Sequence, residues 1–169
     1  MLSQTLQNAL NDQLQRELFS AYVYLAMAAY SETQNLPGFA HWMRLQSQEE
    51  LGHAMKVFDY INDRNGSVEL QAIDQPPGEF QSPLAMFVQA LDHERTVTAA
   101  IHQLYELAVG ENDYPTQTFL QWFIAEQVEE EKAASQVVER LKLSGGNSAA
   151  LLLIDRELGA RRAVDERAA

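Results

Sequence analysis

The sequence predicts an all-α protein, a four-helix bundle with one long crossover and a short C-terminal fifth helix. Three observations carry that expectation. Helix breakers are few, 8 glycines and 5 prolines in 169 residues, and they fall between long uninterrupted segments. Each long segment carries one stripe stepping by three and four residues, the period of an amphipathic helix. The connections between the long segments run short, long, short, which describes a bundle with a single crossover.

The first helix, expected at 4–32, begins behind Ser3 as N-cap and carries the stripe Leu10, Leu14, Glu17, Ala21, Tyr24, Ala28. Asn35-Leu36-Pro37-Gly38 separates it from the second, expected at 38–65, with Phe39, Met43, Gln46, Glu50, His53, Val57 and Tyr60 in phase and Asn65-Gly66 at its end. Ser67 to Ser82, holding Pro76-Pro77-Gly78, has the length of a crossover rather than of a tight turn. The third helix, 83–109, starts on Pro83 in the first turn, where proline is tolerated, and Gly110 closes it. Its stripe is Leu84, Phe87, Leu91, Glu94, Thr98, Ile101, Tyr105, Ala108. Asn112-Asp113-Tyr114-Pro115 opens the fourth, 115–143, with Thr116, Leu120, Phe123, Gln127, Glu130, Ala134, Val137 and Leu141 in phase. Ser144-Gly145-Gly146-Asn147 leads to the fifth, 148–158. Residues 1–160 are expected to form one domain, and the mixed-charge segment 161–169 a flexible tail.

Composition excludes several classes. With 12 Lys and Arg against 24 Asp and Glu the formal net charge is −12, which disfavours a nucleic-acid partner. There is no cysteine, so disulfides, thiolate zinc sites, Fe–S clusters and cysteine nucleophiles are out. No apolar run approaches the roughly 18–20 residues that span a bilayer, so no membrane partner is expected. Met1-Leu2-Ser3-Gln4-Thr5 has no basic segment ahead of an apolar one, so no secretory signal is read and the cytoplasm is the expected location.

The chemistry lies in the core stripes. Glu17, Glu50, Glu94 and Glu130 occupy positions whose neighbours face the bundle interior, where a carboxylate is costly unless paired or bound to a cation. Each lies within about two residues, or roughly 3 Å of rise, of its helix centre. A helix centre stays at mid-bundle whichever way the helix runs, so the four carboxylates, His53 and Gln127 converge on one layer. Like charges gathered at low dielectric require protonation or dications. Glu50-Leu51-Gly52-His53 puts carboxylate and imidazole on one face at i, i+3, the spacing of a metal-binding bundle helix. Glu17, Glu50 and His53 then form one site, and Glu94 with Glu130 a second, bridged by Glu50. Oxygen-rich ligation with one imidazole suits Fe(II) or Mn(II) and tolerates Zn(II). The competing readings are surface charges on misphased helices or a neutralised polar layer that fixes register. Tyr24 is placed to donate to a ligand carboxylate or to supply an electron, with a plain core tyrosine as the alternative. Trp122 reads as packing.

These residues resemble a known family, the bacterial non-haem ferritins, over essentially the whole chain. The matching segments are Arg16-Glu17-Leu18 with Tyr24, Gln48-Glu49-Glu50-Leu51-Gly52-His53, Asp113-Tyr114-Pro115-Thr116 leading to Phe119-Leu120-Gln121-Trp122, and Glu126-Gln127-Val128-Glu129-Glu130-Glu131-Lys132. The resemblance implies a ferroxidase centre taking two Fe(II) to Fe(III) with O2 or H2O2. Glu17, Glu50 and His53 would hold one iron, and Glu50, Glu94 and Glu130 the other, with Gln127 alongside. It also implies a third adjacent iron on Glu49, Glu126, Glu129 and Glu130, for which a solvated acidic face is the alternative. It further implies assembly into a homo-oligomeric shell of 24 subunits storing ferric mineral. Leu151-Leu152-Leu153-Ile154 is apolar all round and too short to fold alone. Burial around a symmetry axis fits the shell, and docking on its own bundle is the alternative.

Two departures matter. Haem-containing bacterioferritins have a methionine between the bridging Glu and the His and a second Glu-x-x-His on the fourth helix. Here those places hold Leu51 and Gln127-x-x-Glu130, so no haem is expected, and the second iron should be held more loosely. Animal ferritins line a threefold channel with acids early in the fourth helix, where this chain has Gln117 and Leu120. A di-iron or di-manganese oxidase of the same bundle class is the competing enzyme, and a helical interaction module without metal the competing non-enzyme.

Overall fold

The computed structural model describes residues 2–162, which form five helices. These are α1 (Gln4–Thr33), α2 (Pro37–Asp63), α3 (Pro83–Gly110), α4 (Tyr114–Ser144) and α5 (Ser148–Leu158). No helix among the described residues is long and apolar enough to cross a membrane.

Local chemistry sets most helix ends. Ser3, Ser82, Asp113 and Asn147 each accept a backbone N–H of the first turn through the side chain, at 3.0–3.1 Å. At the other ends, Asn35, Asn65 and Asn112 take left-handed φ of 55–57°, a conformation asparagine tolerates better than other side chains with a Cβ. After each of them the next N–H returns to the carbonyl five residues back, as from Leu36 to Ser31 at 3.0 Å, a Schellman closure. Asparagine, not glycine, therefore turns the chain out of α1, α2 and α3, and Gly110 is the last residue of α3. Only α4 exits through a left-handed glycine, Gly145.

The crossover runs along α1. Asn11 clasps it from both sides, donating to the Ser67 carbonyl at 3.0 Å and accepting from the Glu69 N–H at 2.8 Å. Gln7 accepts from the Ser67 N–H, Gln71 donates to Asp12, and Tyr30 meets Phe80 edge-on. Such a return antiparallels α3 with α1, so α1 and α4 run one way and α2 and α3 the other.

The apolar core is split in two. One cluster joins the C-terminal half of α1 to the N-terminal halves of α2 and α3 and the C-terminal half of α4, with Tyr24, Phe39, Met43 and Phe87 fully buried. The other gathers the opposite ends, around Leu10, Ile61, Ile101 and Phe123. Between them lies a buried polar layer.

The fifth helix docks on its own bundle, against α2 and α4. Ile154 and Leu158 enter the first cluster, while Leu152 and Leu153 stay more than half exposed. Its docking also completes α2. Leu36, the residue preceding that helix, offers no capping side chain, and Asp155 accepts the Phe39 N–H at 2.8 Å instead, placing a carboxylate on a helix N-terminus. A Cβ at Gly38 would stand 1.7 Å from the Asp155 carbonyl oxygen. Gly38→Ala is thus expected to push α5 off α2, lowering stability by about 1–3 kcal/mol. Hydrogen exchange across 148–158 should quicken, and wild-type protection there would contradict this account of the docking.

Of the expected tail, residues 163–169 lie outside the described residues. Arg161 is tied down: its guanidinium donates to Gln46 and Glu49 and lies over Trp42, and its carbonyl oxygen is 2.9 Å from His41 Nε2.

Candidate metal centre

The polar layer draws one or two side chains from each long helix. Glu17 comes from α1, Glu50 and His53 from α2, Glu94 from α3, and Gln127 and Glu130 from α4, none more than 5% exposed. Each was in phase with its apolar stripe, which is why folding carries it inward.

Glu17, Glu50 and His53 bring one ligand atom each to within 4.8 Å of one another. His53 Nδ1 is 3.4 Å from Glu50 Oε2, one turn along α2. The Gln13 amide donates to Glu17 Oε1 at 2.6 Å, and Glu17 Oε2 is buried without a hydrogen-bond partner. A buried carboxylate oxygen left unpaired is expensive, and a cation supplies the missing partner. The donor set therefore fits a hard or borderline dication. The His53 ring is held edge-to-face by Trp122 at 5.3 Å, and Lys56 lies 4.5 Å above the indole.

A second triad is His53, Glu126 and Glu130. Glu130 Oε2 accepts from the Gln46 amide at 2.7 Å. Glu94 is in neither triad: its Oε1 accepts from the Tyr24 hydroxyl and its Oε2 from the Gln127 amide at 3.1 Å. With both oxygens engaged, Glu94 turns toward α1 and α4. Glu50, Glu94 and Glu130, grouped by the sequence reading, lie close enough for the charges of Glu94 and Glu130 to act on Glu50, and Glu126 stands beside Glu130 as well. Of the other residues assigned to a third site, Glu129 is exposed and Glu49 is held by Arg161.

Electrostatics follow from burial. Loss of water raises Glu50 well above the ordinary carboxylate range, and the charges of Glu94, Glu17 and Glu130 raise it further. Burial pushes Glu94 up to about 7, with the Tyr24 and Gln127 hydrogen bonds pulling the other way. Burial and then the charge of Glu94 push Glu130 up to about 8, opposed by the Gln46 hydrogen bond. The Tyr24 hydroxyl is likewise raised by burial and by three neighbouring carboxylates, so it remains a proton donor near neutrality.

Gln13 belongs to the layer but lies outside the α1 stripe; it stands four residues ahead of its partner Glu17, an i, i+4 spacing that could have marked it. Gln46 is in the α2 stripe, but its partner Glu130 is on α4, which no local spacing signals. Leu120 is buried in the second apolar cluster, and Gln117 donates back to the Ala108 carbonyl at 3.1 Å.

A crossed-over four-helix bundle with carboxylates and an imidazole at its waist defines a ferritin-like protein, and the chain belongs to that family: the ferritin-like domain matches residues 7–144. More particularly, it is 43% identical to bacterial non-heme ferritins of Bacteroides fragilis and Staphylococcus aureus, over 95% of this chain and 100% and 97% of theirs. Among solved structures, an open-pore ferritin from the hyperthermophilic archaeon Archaeoglobus fulgidus superimposes with a TM-score of 0.95 at 49% identity, covering 96% of this chain and 100% of that one. A closed form of the same ferritin, engineered by site-directed mutagenesis, gives 0.96 at 49% identity, over 97% and 100% of the two chains.

Proposed function

We propose that this chain stores and detoxifies iron: it oxidises Fe(II) at the buried carboxylate–imidazole layer and deposits ferric mineral inside a 24-subunit homo-oligomeric shell in the cytoplasm. The observation that carries the reading is the interrupted core, in which acids that repel one another in the metal-free protein become a preformed cradle for two dications. Membership of the ferritin-like family and identity to bacterial non-heme ferritins support it.

Iron is the substrate here. Glu17, Glu50 and His53 would hold one Fe(II), and Glu130 with Glu50, Glu94 or Glu126 the other, with Gln127 alongside. Two Fe(II) surrender one electron each. The pair reduces O2 to H2O2 with uptake of two protons, or H2O2 to two molecules of water, again with two protons. Carboxylate oxygens stabilise the higher charge of Fe(III) more than that of Fe(II), which is where the layer lowers the barrier. Tyr24, protonated against Glu94, holds that carboxylate in place and is positioned to lend a proton. A third iron on Glu126, Glu130, Glu49 and Glu129 would require Glu49 to leave Arg161 and Glu129 to turn inward.

Aerobic addition of many Fe(II) per chain is expected to give a soluble amber product, on a particle eluting at about half a megadalton in gel filtration, the size of a closed symmetric shell of 19.1 kDa chains. Precipitation indistinguishable from a protein-free blank would reject storage. Stopped-flow oxidation with O2 against H2O2 identifies the oxidant.

A further inference from the structure

The second triad has a cation beside it already. Arg161, three residues past α5, places one guanidinium nitrogen 2.8 and 3.1 Å from the two carboxylate oxygens of Glu49, and the other donates to Gln46 Oε1. The Gln46 amide nitrogen in turn donates to Glu130 Oε2 at 2.7 Å. A charged side chain from the C-terminal segment is thus one residue removed from a triad carboxylate. The contact is built: the guanidinium lies over Trp42, its ion-pair partner Glu49 is 11% exposed at the side chain, and the Arg161 carbonyl oxygen meets His41. The docking of α5 through Asp155 and Leu158 delivers it there.

We propose that Arg161 is a built-in counter-cation of the metal-free layer, positioning Glu49 directly and Glu130 through Gln46, and that a dication entering at the Glu126–Glu130 side displaces it and frees the C-terminal segment. The inference rests on the reading of the layer as a metal centre. Its physics is a competition between two cations beside one cluster of neighbouring acids. A guanidinium paired with a carboxylate by charge-assisted hydrogen bonds holds that carboxylate in a geometry that serves arginine. A metal ion held by Glu126 and Glu130 needs the Glu130 oxygen that Gln46 engages, and it repels the nearby arginine besides. Arg161 also opposes the upward push that Glu94 and Glu49 exert on Glu130, as a counter-ion would. Arg161 therefore keeps the outermost cation site weak, so that a metal ion held there is readily passed on.

The test uses the assembled metal-free protein and Zn(II), which is redox-inert. Calorimetric titration of the wild type should resolve tight sites and a weaker class. Arg161→Ala is expected to tighten the weaker class about tenfold and leave the tight sites unchanged. Arg161→Lys, which restores the charge, should bring the affinity back toward wild type, a rescue that a merely structural role would not produce. Hydrogen exchange at residues 159–162 of the wild type should rise only as the weaker class fills. Tight sites present, with the weaker class unmoved by Arg161→Ala or exchange at 159–162 unaltered by Zn(II), would overturn this inference alone. No tight Zn(II) binding by the wild type would overturn it together with the metal-centre reading.

Discussion

Replacing Glu50 by alanine is expected to slow Fe(II) oxidation by at least about a hundredfold, the scale on which removal of a group stabilising developing charge is felt, while size and helicity stay those of the wild type. Glu50 is the acid on which the layer turns. It shares the first triad with Glu17 and His53, and its charge environment includes Glu94, Glu17 and Glu130. No neighbouring carboxylate replaces it in that triad, because Glu94 is engaged by Tyr24 and Gln127 and Glu130 by Gln46. The companion variant Glu50→Gln keeps the volume and removes the charge. Relief of like-charge repulsion at low dielectric should let it melt, metal-free at pH 8, at or above the wild-type temperature. Saturating Zn(II) should then raise that temperature far less than in the wild type. Stopped-flow absorbance and scanning calorimetry report the two effects; oxidation by Glu50→Ala at the wild-type rate would dispose of the assigned centre.

The second large effect is on stability against pH. Glu94 and Glu130 titrate near 7 and 8 in the fold, against roughly 4.3 for an unfolded glutamate, and Glu50 is raised as well. Between these limits the folded chain binds more protons than the unfolded one, so this contribution to stability is fully present below about pH 4.3 and is lost as pH rises through 7 and 8. The metal-free protein should therefore weaken across that window. The contribution is isolated as the difference between wild type and Glu130→Gln, which should widen in favour of the variant as pH rises. Metal reverses the sign. A dication at a hundred times its Kd adds about 2.7 kcal/mol per site, or roughly 5–10 °C for a chain of this size, and the gain should shrink toward pH 5 as protons compete. Zn(II) binding near pH 6.5 should release protons, read from titration heats in buffers of different ionisation enthalpy. A buffer-independent heat would show the layer to be already ionised.

Much of the centre is legible in the sequence. Glu17, Glu50, His53, Glu94 and Glu130 stand in phase with apolar stripes, and their common height follows from helix length alone, because a helix midpoint does not depend on direction. The fifth helix was legible as an element but not in its docking. Asp155 reaches the Phe39 N–H across 116 residues of chain, and nothing local to either segment signals that pairing. The mixed-charge surroundings of Arg161 read as a tail, whereas its partners on α2, the buried Gln46 and the partly buried Glu49, stand more than 110 residues earlier.

Five helices, a long crossover and the gathering of acids at one level follow from local pattern, since a 3.6-residue period, breaker positions and rise per residue are properties of short stretches of chain. The partners within that level come from packing: Gln13 for Glu17, Gln46 for Glu130, Tyr24 for Glu94, and Glu126 in the second triad. Packing also decided that α5 lies back on α2 and carries Arg161 to Glu49. Those outcomes depend on rotamers chosen where separate helices meet and on opposite charges that find each other only after the chain has closed.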